Sequence, residues 1–228
     1  TMSIAQKLYE EGLITYHRTD SVTLSPAAIK NVRVFIEKSY GDKYLPESAR
    51  AYVTKQKSAQ EAHEAIRPTK IEKSFEQVKG ELEDTYAKLY DLIWKRTVAS
   101  QMSDAVIEST AVLVDSQGDL KYRFKANGSV LSFDGFLKLN PQALKDTQLP
   151  RFTVAEKLDF DTARADAHET LPPPRYNDAS LIQALEEKGI GRPSTYASII
   201  STLADRAYVE RVEKRFEPTS IGMAVNDF

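Results

Sequence analysis

The sequence predicts an α+β protein built from more than one domain. Three features of its 228 residues support this class. Helical apolar periodicity fills most of the first hundred residues, a β-rich stretch follows, and two short helices with a hairpin come last. Between the second and third regions, three prolines at 172–174 force a stiff, extended backbone and mark a boundary.

The first region contains three predicted helices. One covers residues 1–11, with Tyr9 on its apolar face, and ends at Gly12, a residue type that readily closes a helix. The second is predicted over 26–40, because Ser25 is a favourable N-cap and the proline after it suits the first helical position. The third spans about 82–102, where an aromatic stripe at helical spacing indicates core packing rather than a binding site.

The second region is predicted to be a β-rich scaffold. Strands are expected where β-branched and aromatic residues are enriched, at 106–114, 120–124, 130–139 and 152–160. Gln117-Gly118-Asp119 and Asn127-Gly128 are the turn signals between the first three of them. None of these strands carries a group of polar residues typical of a catalytic site.

The third region predicts a compact pattern of helix, helix and hairpin. Helices are expected at 180–188 and 194–207, and a hairpin is expected from 208–212 and 214–217. Two helices followed by a two-stranded wing suggest a winged-helix-like unit. Thr219 is the predicted cap of one more helix.

Composition excludes several kinds of site. The chain has no cysteine, which excludes disulfides and thiolate metal sites and fits a reducing, cytoplasmic location. No apolar run approaches the length of a membrane span and no signal-peptide pattern opens the chain, so we expect no membrane association. A net charge of −2 argues against binding nucleic acid through bulk electrostatics, and leaves only a few well-placed cations for that role.

The densest group of polar functional side chains lies at 16–21, in the segment GLITYHRTDS at 12–21, directly after an apolar run. In an extended chain Tyr16 and Arg18 point the same way, which places a potential nucleophile beside a cation that can bind a phosphate with two hydrogen bonds. Tyrosine is a weak nucleophile at neutral pH because its pKa is about 10, but a neighbouring cation favours the phenolate. The alternative is a half-buried tyrosine at a strand end with its hydroxyl in water.

Three further sequence blocks accompany this segment: QEAHEAIRPT at 60–69, PPPRY at 172–176 and GIGRPSTYA at 189–197. In this order the four blocks resemble the motifs of type IA DNA topoisomerases, and above all those of the bacterial topoisomerase I group. The departure is His17, where many relatives carry methionine. The resemblance implies that Tyr16 cleaves one DNA strand, keeps its 5′ end as a phosphotyrosine, and allows strand passage and religation. Negative supercoils would thereby relax without ATP.

The resemblance also implies roles for side chains around the nucleophile. Arg18 would hold the scissile phosphate and counter its charge, and His63 would bind the phosphate near Tyr16. Arg67 is a further candidate for DNA binding. From the residues alone, His63 could equally be an ordinary surface or core histidine, and Arg67 could form a structural ion pair with Glu64.

The block at 189–197 is implied to contact single-stranded DNA. Arg192, Ser194 and Thr195 could reach phosphates at a helix start, where backbone N–H groups and the helix dipole favour anions. Tyr196 could stack on an unpaired base. The alternative for this glycine-bounded loop is an ordinary capped helix start.

The resemblance implies an α+β multidomain fold with three parts. Residues 1–102 would be a helical, winged-helix-like domain with the active-site tyrosine, truncated at its N-terminus. Residues 103–175 would be part of a β-rich hinge or gate domain, and 176–228 part of a winged-helix-like DNA-groove domain.

The resemblance implies a toprim domain upstream, which would bind the magnesium cofactor. No D-x-D-x-E cluster occurs in this chain, and no metal ligand is assigned. The implied partners are single-stranded and negatively supercoiled DNA and the toprim domain of the same protein, in a monomer. Isolated from that domain, the fragment is expected to be inactive.

Two other functions stay open from the residues alone. The chain could be a non-catalytic module that binds single-stranded DNA through its winged-helix-like part. It could also be a phosphotransferase or a recombinase that uses tyrosine differently, in which case the phosphotyrosine would carry a 3′ end.

Overall fold

The elements described in the first hundred residues are helices, a long β-hairpin follows, and further helices with a short hairpin come last. The computed structural model describes residues 1–52, 63–119, 121–143 and 147–228. These residues divide into two units: the first holds Thr1, Ser3–His17 and Ser21–Asp161, and the second holds Met2, Arg18–Asp20 and Thr162–Phe228. The three-domain division at residues 102 and 175 stays a prediction.

The helices before residue 102 supply most of the core of the first unit. They are α1 (Met2–Glu10), α2 (Pro26–Tyr40), α3 (Phe75–Lys79) and α4 (Asp84–Ser100). Three of them confirm the predicted helices to within two residues at either end, and α3 is an addition. Short 3-10 helices lie at Asp42–Tyr44, Gly135–Leu139 and Pro141–Ala143.

Local capping chemistry sets the start and end of α2. The Ser25 hydroxyl accepts a hydrogen bond from the Ala28 backbone N–H at 3.3 Å, as expected for an N-cap. At the other end Gly41 adopts a φ of +89°, a conformation that glycine reaches without steric cost. The predicted start of this helix is therefore confirmed.

One hydrophobic core holds the first unit together. It joins buried side chains of the helices and of the segments between them: Leu8, Ile14, Val32, Ile36, Tyr44, Ile71, Val78, Tyr90, Trp94, Val98 and Met102. The Tyr90 hydroxyl and the Trp94 indole donate hydrogen bonds to backbone carbonyls, so burial of these rings leaves no polar atom stranded. Burial, with the nearby Glu72 carboxylate, raises the pKa of Tyr90 to about 12. The aromatic stripe is core packing, as predicted.

The β-rich region folds as one long antiparallel hairpin. Strand β1 (Val106–Asp115) pairs with β2 (Arg123–Phe133). Beside the loop, the Arg123 guanidinium binds the Asp115 carboxylate in a bidentate ion pair at 2.7 and 2.9 Å. The predicted first strand and the turn signal at 117–119 are confirmed. Leu120, the first residue of the second predicted strand, lies outside the described residues.

The predicted turn at Asn127-Gly128 is wrong. Both residues lie inside β2, where Gly128 pairs with Thr110. A Cβ on Gly128 would come within 2.7 Å of the Thr147 carbonyl oxygen and 2.8 Å of Leu149 Cγ. This glycine therefore allows a distant segment to approach β2 closely, which a local turn signal cannot reveal.

Two of the predicted strands also differ from the structure. The strand expected at 130–139 ends at Phe133, and a 3-10 helix follows. The strand expected at 152–160 is absent from the described residues: Glu156 N–H bonds to the Thr153 carbonyl, and Ala155 adopts a φ of +64°. The whole segment is exposed, and an apolar stretch without a partner strand cannot form a sheet.

The second unit contains the predicted helices and hairpin. Its elements are α5 (Asp178–Glu187), α6 (Tyr196–Asp205), β3 (Val209–Val212), β4 (Arg215–Pro218) and α7 (Ser220–Asp227). The Thr219 hydroxyl accepts a hydrogen bond from the Gly222 N–H at 3.0 Å, which confirms the predicted cap of the last helix. A winged-helix identity for this unit stays a prediction. Among the described residues, no helix has the length and apolar character that crossing a bilayer requires.

Candidate active site

The segment before Tyr16 is fixed by pairing with a segment about fifty residues away. Ile14 forms an antiparallel bridge with Pro68, and the Thr15 N–H donates to the Arg67 carbonyl at 2.9 Å. Ile14 is fully buried in the core of the first unit. A buried anchor and a backbone bridge together hold the residue that follows, Tyr16, at the surface.

The Thr15 side chain adds a second connection between the same two segments. Its hydroxyl donates to the Ala65 carbonyl at 2.8 Å and accepts from the Arg67 N–H at 2.9 Å. One side chain therefore satisfies backbone groups on both sides of Ile66, which ties this part of the block to the nucleophile segment. Residues 60–62 of the block lie outside the described residues.

The Tyr16 ring lies among three other rings. Its centroid is 5.4 Å from Tyr9, 5.5 Å from His17 and 5.4 Å from His63, and all three pairs are edge-to-face. This spacing and orientation are those that aromatic pairs prefer. Tyr16 is 38% exposed, so part of the side chain is accessible to a substrate.

His17 is buried beside the exposed ring of Tyr16. Its side chain is only 7% exposed and its ring packs at 5.9 Å from Tyr9. The backbone bends at residues 15, 17 and 18, so Tyr16 and His17 do not alternate across an extended strand. The histidine at this position therefore packs within the site.

The predicted companions of Tyr16 differ in how the structure places them. His63 and Tyr16 are brought together, ring against ring. Arg18 is exposed and belongs to the second unit, whereas Tyr16 belongs to the first. The pairing of Tyr16 with Arg18 stays a prediction.

Arg67 is held by partners within the protein. Its Nε and Nη2 donate to the two carboxylate oxygens of Glu64 at 2.8 and 3.0 Å, and its Nη1 donates to the Pro68 carbonyl at 2.9 Å. This is the ion pair that the sequence offered as the alternative to DNA binding. With all three of its nitrogens engaged, the guanidinium would have to leave Glu64 to grip a phosphate with two hydrogen bonds.

Glu64 links this ion pair to the start of α2. Its Oε1 also accepts a hydrogen bond from the Ser25 N–H at 2.8 Å. Burial alone would raise the pKa of Glu64, but the hydrogen bonds from Arg67 and Ser25 outweigh burial and hold the pKa below its usual value. From the sequence, Glu64 was expected only as a partner of Arg67, and its contact with the helix cap was not predicted.

The loop at 189–196 in the second unit is a compact turn before α6. Gly189 and Gly191 adopt φ values of +68° and +79°, and a Cβ on Gly191 would come within 2.9 Å of Ile199 Cδ1. The Thr195 hydroxyl accepts from the Arg192 N–H at 2.8 Å and donates to the Arg192 carbonyl at 3.1 Å. These bonds hold together the turn ahead of α6, but the Thr195 side chain makes no capping bond to an N–H inside the helix.

The predicted DNA-contact residues of this loop fall into two groups. Arg192 and Ser194 have exposed side chains, although one guanidinium nitrogen of Arg192 donates to the Gly191 carbonyl. Thr195 uses its hydroxyl within the turn, and Tyr196 is partly buried. Burial raises the pKa of the Tyr196 phenol, and the Glu186 carboxylate adds to the effect.

The block at 172–176 ends against the hairpin of the second unit. The Phe216 N–H donates to the Tyr176 carbonyl at 2.7 Å, and an Arg215 nitrogen donates to the Arg175 carbonyl at 2.8 Å. The end of the block therefore lies along β4. No group of three or more histidine and carboxylate side chains that could hold a metal ion occurs in the part of the chain that the structure describes.

Comparisons with known proteins agree across the whole chain. A family model described as DNA topoisomerase matches residues 1–228. DNA topoisomerase 1 of Rickettsia felis is 50% identical over 242 residues, covering 100% of this chain and 31% of the relative. DNA topoisomerase 1 of Haemophilus influenzae is 46% identical over 230 residues, covering 100% of this chain and 26% of that relative.

A solved structure gives the same result. The structure of full-length topoisomerase I from Thermotoga maritima matches 99% of this chain with a TM-score of 0.82 and 36% sequence identity, and the match covers 37% of that protein. The chain therefore spans about a third of the length of the relatives it resembles.

Proposed function

Because this chain belongs to the type IA DNA topoisomerase family, we propose that it carries the nucleophile of a longer enzyme of that kind, and that Tyr16 is the nucleophile. The phenol oxygen attacks a DNA phosphodiester, an O–P bond to Tyr16 forms, and the bond to the 3′ oxygen breaks. The phenolic proton ends on that 3′ oxygen. The 5′-phosphotyrosine conserves the energy of the broken bond, so the reverse reaction reseals the strand without ATP.

The observation that carries this proposal is the setting of the Tyr16 ring. It is an exposed phenol on a segment with a buried anchor, next to the imidazole of His63. A histidine at this distance can donate a hydrogen bond to a phosphate oxygen as negative charge builds on the phosphoryl group. A tyrosine that served only packing would not need that combination.

Arg18 is proposed to bind the scissile phosphate through its planar guanidinium, which can donate two parallel hydrogen bonds to phosphate oxygens. Arg67 is proposed to act differently from Arg18, since its guanidinium already binds Glu64. In its present geometry it holds Glu64, which also accepts a hydrogen bond from the Ser25 N–H, and contact with DNA would require exchange of partners.

Single-stranded DNA is the proposed substrate of the loop at 189–196. Arg192 and Ser194 would contact phosphates directly, because their side chains are exposed at the start of α6. Thr195 would hold the turn in shape and Tyr196 would stack on an unpaired base. With a net charge of −2 over the chain, such placed contacts must replace a general basic surface.

Magnesium is proposed to be bound by a toprim domain elsewhere in the longer protein, because the described residues offer no suitable carboxylate group. The metal would stabilise charge on the DNA phosphates when bound. The longer protein is further proposed to act as a monomer on negatively supercoiled DNA in the cytoplasm.

Replacing the proposed nucleophile tests this function. In the full-length protein, Tyr16→Phe removes one hydroxyl and keeps the ring, so we expect no covalent adduct with a labelled oligonucleotide and nearly unchanged noncovalent binding. Tyr122→Phe is the matched control, since Tyr122 is an exposed tyrosine in the loop of the long hairpin. Normal adduct yield from Tyr16→Phe would contradict the assignment, and would favour a non-catalytic DNA-binding role for this segment.

A further inference from the structure

We propose that Tyr9 is a positioning residue for the nucleophile, acting through the edge-to-face contact between its ring and that of Tyr16. The proposal rests on the proposed function of Tyr16. It assigns a role to a residue that the sequence placed only on a helix face, and it does not require the Tyr9 hydroxyl.

The turn after α1 brings the two rings together. Tyr9 lies in the last turn of that helix, and its carbonyl accepts a hydrogen bond from the Gly12 N–H at 2.9 Å. Gly12 has a φ of +70°, which reverses the chain direction and sends the next residues back past the helix end. Tyr9 and Tyr16 are therefore held by a helix on one side and by the buried Ile14 on the other.

Tyr9 contacts both the nucleophile and the buried residue beside it. The Tyr9 and Tyr16 centroids are 5.4 Å apart with the ring planes at 71°, and the Tyr9 and His17 centroids are 5.9 Å apart. His63 approaches Tyr16 as well, at 5.4 Å. The Tyr16 ring thus has aromatic neighbours in both segments of the site.

Exposure argues against a purely structural role for Tyr9. Its side chain is 42% exposed, and it is not among the buried residues that form the core of the first unit. A ring that stays 42% exposed gains less from burial than the fully buried ring of Tyr90 does. Its position does restrict the space that is open to the Tyr16 ring.

This restriction would help cleavage by orienting the Tyr16 side chain. A tyrosine side chain turns about two torsions, and only some rotamers direct the phenol oxygen at the phosphorus atom. Restricting those torsions raises the fraction of molecules that are ready to react, without changing the affinity for DNA. The predicted signature of Tyr9 is therefore a slower cleavage step with unchanged binding.

The experiment compares Tyr9→Phe and Tyr9→Leu in the full-length protein. Single-turnover cleavage of an oligonucleotide, noncovalent binding of the same oligonucleotide and the melting temperature are measured for each variant. We expect Tyr9→Phe to stay within about twofold of the wild-type cleavage rate, and Tyr9→Leu to fall about fivefold to fiftyfold. Binding should change by less than about twofold in either variant, because the contact acts on orientation alone.

The matched control is Tyr122→Leu, which removes another exposed tyrosine from the same unit at a place remote in sequence from Tyr16. It should cleave at the wild-type rate. Tyr9→Met is a second non-aromatic variant in case the leucine lowers the melting temperature. If both non-aromatic variants lose stability but cleave normally per folded molecule, Tyr9 is structural and the proposal fails.

Two other outcomes would overturn the proposal. Wild-type cleavage by Tyr9→Leu would show that the ring is not needed. Cleavage by Tyr9→Phe as slow as by Tyr9→Leu would show that the hydroxyl matters instead. Neither outcome affects the proposed function, which fails only if Tyr16→Phe still forms the covalent adduct.

Discussion

The nucleophile segment and the loop at 189–196 are both glycine-bounded and both proposed to contact DNA, yet they are held in different ways. In the nucleophile region, the Thr15 hydroxyl bonds to groups fifty and fifty-two residues away, and the Glu64 carboxylate accepts a hydrogen bond from a group thirty-nine residues away. The ion pair of Glu64 with the nearby Arg67 is the exception. In the loop, Thr195 bonds only three residues back, to Arg192. The chemistry of Tyr16 should therefore depend on tertiary structure, whereas the loop should keep its shape through local bonds.

The largest expected effect comes from neutralising Glu64. Glu64→Gln leaves the Arg67 guanidinium without its charged partner in a partly buried place, so we expect a loss of about 1–3 kcal/mol in the free energy of unfolding. Chemical denaturation of the full-length protein measures it. Glu81→Gln, which breaks the more exposed pair with Lys73, is the control and should cost less than about 0.5 kcal/mol. Equal losses in the two variants would contradict the importance of the long-range contact.

Replacing one threonine in each region compares the long-range hydrogen bonds with the local ones directly. Thr15→Val keeps the shape but removes two hydrogen bonds between distant segments, and should cost about 1–2 kcal/mol of unfolding free energy and slow DNA cleavage. Thr195→Val removes two bonds within an exposed turn and should cost about 0.5 kcal/mol. Denaturation and single-turnover cleavage distinguish the two. A larger stability loss from Thr195→Val would reverse the proposed difference between the regions.

Acid should weaken the nucleophile region through Glu64. Its pKa is lowered in the folded protein, so its stabilising contribution is present above the ordinary value of 4.5 and is lost as the pH falls through the lowered value. Wild type should therefore lose more stability than Glu64→Gln on going from about pH 6 to about pH 3. Denaturant titrations at both pH values test this, and parallel losses in the two proteins would exclude Glu64 as the titrating group.

The smallest expected effect on stability belongs to Arg192. Arg192→Ala should weaken binding of single strands and lower the salt dependence by about 0.7, one phosphate contact, while the melting temperature stays nearly unchanged. Arg206→Ala, an exposed arginine just after α6, is the control and should leave the salt dependence intact. Unfolding of Arg192→Ala with normal binding per folded molecule would make the loop a helix cap only.

The sequence correctly predicted features, such as helix caps, that depend on residues only a few positions apart. Ser25 and Thr219 cap the helices they were expected to cap, because a side-chain oxygen needs only a backbone N–H a few residues ahead. The turn predicted at Asn127-Gly128 was wrong for the opposite reason. Its glycine makes room for Thr147, and nothing near it in the sequence reveals that neighbour.

In the candidate site, too, some contacts could be predicted from the sequence and others could not. Motifs identified Tyr16 and His63, and the structure brings their rings together. Tyr9 was missed because a helix-face pattern says nothing about the reversal at Gly12 that carries Tyr16 back to it. The contact of Glu64 with Ser25 was missed because it joins two motifs thirty-nine residues apart.

The central claim is that Tyr16 itself forms the bond to DNA and keeps the 5′ end. The most direct measurement traps the full-length protein on oligonucleotides labelled at one end or the other, then locates the nucleotide-bearing peptide by mass spectrometry after proteolysis. We predict that the 3′-labelled strand stays with the protein and that the modified peptide contains Tyr16 linked through its phenol oxygen. Retention of the 5′ label, or modification of any other tyrosine, would contradict the account.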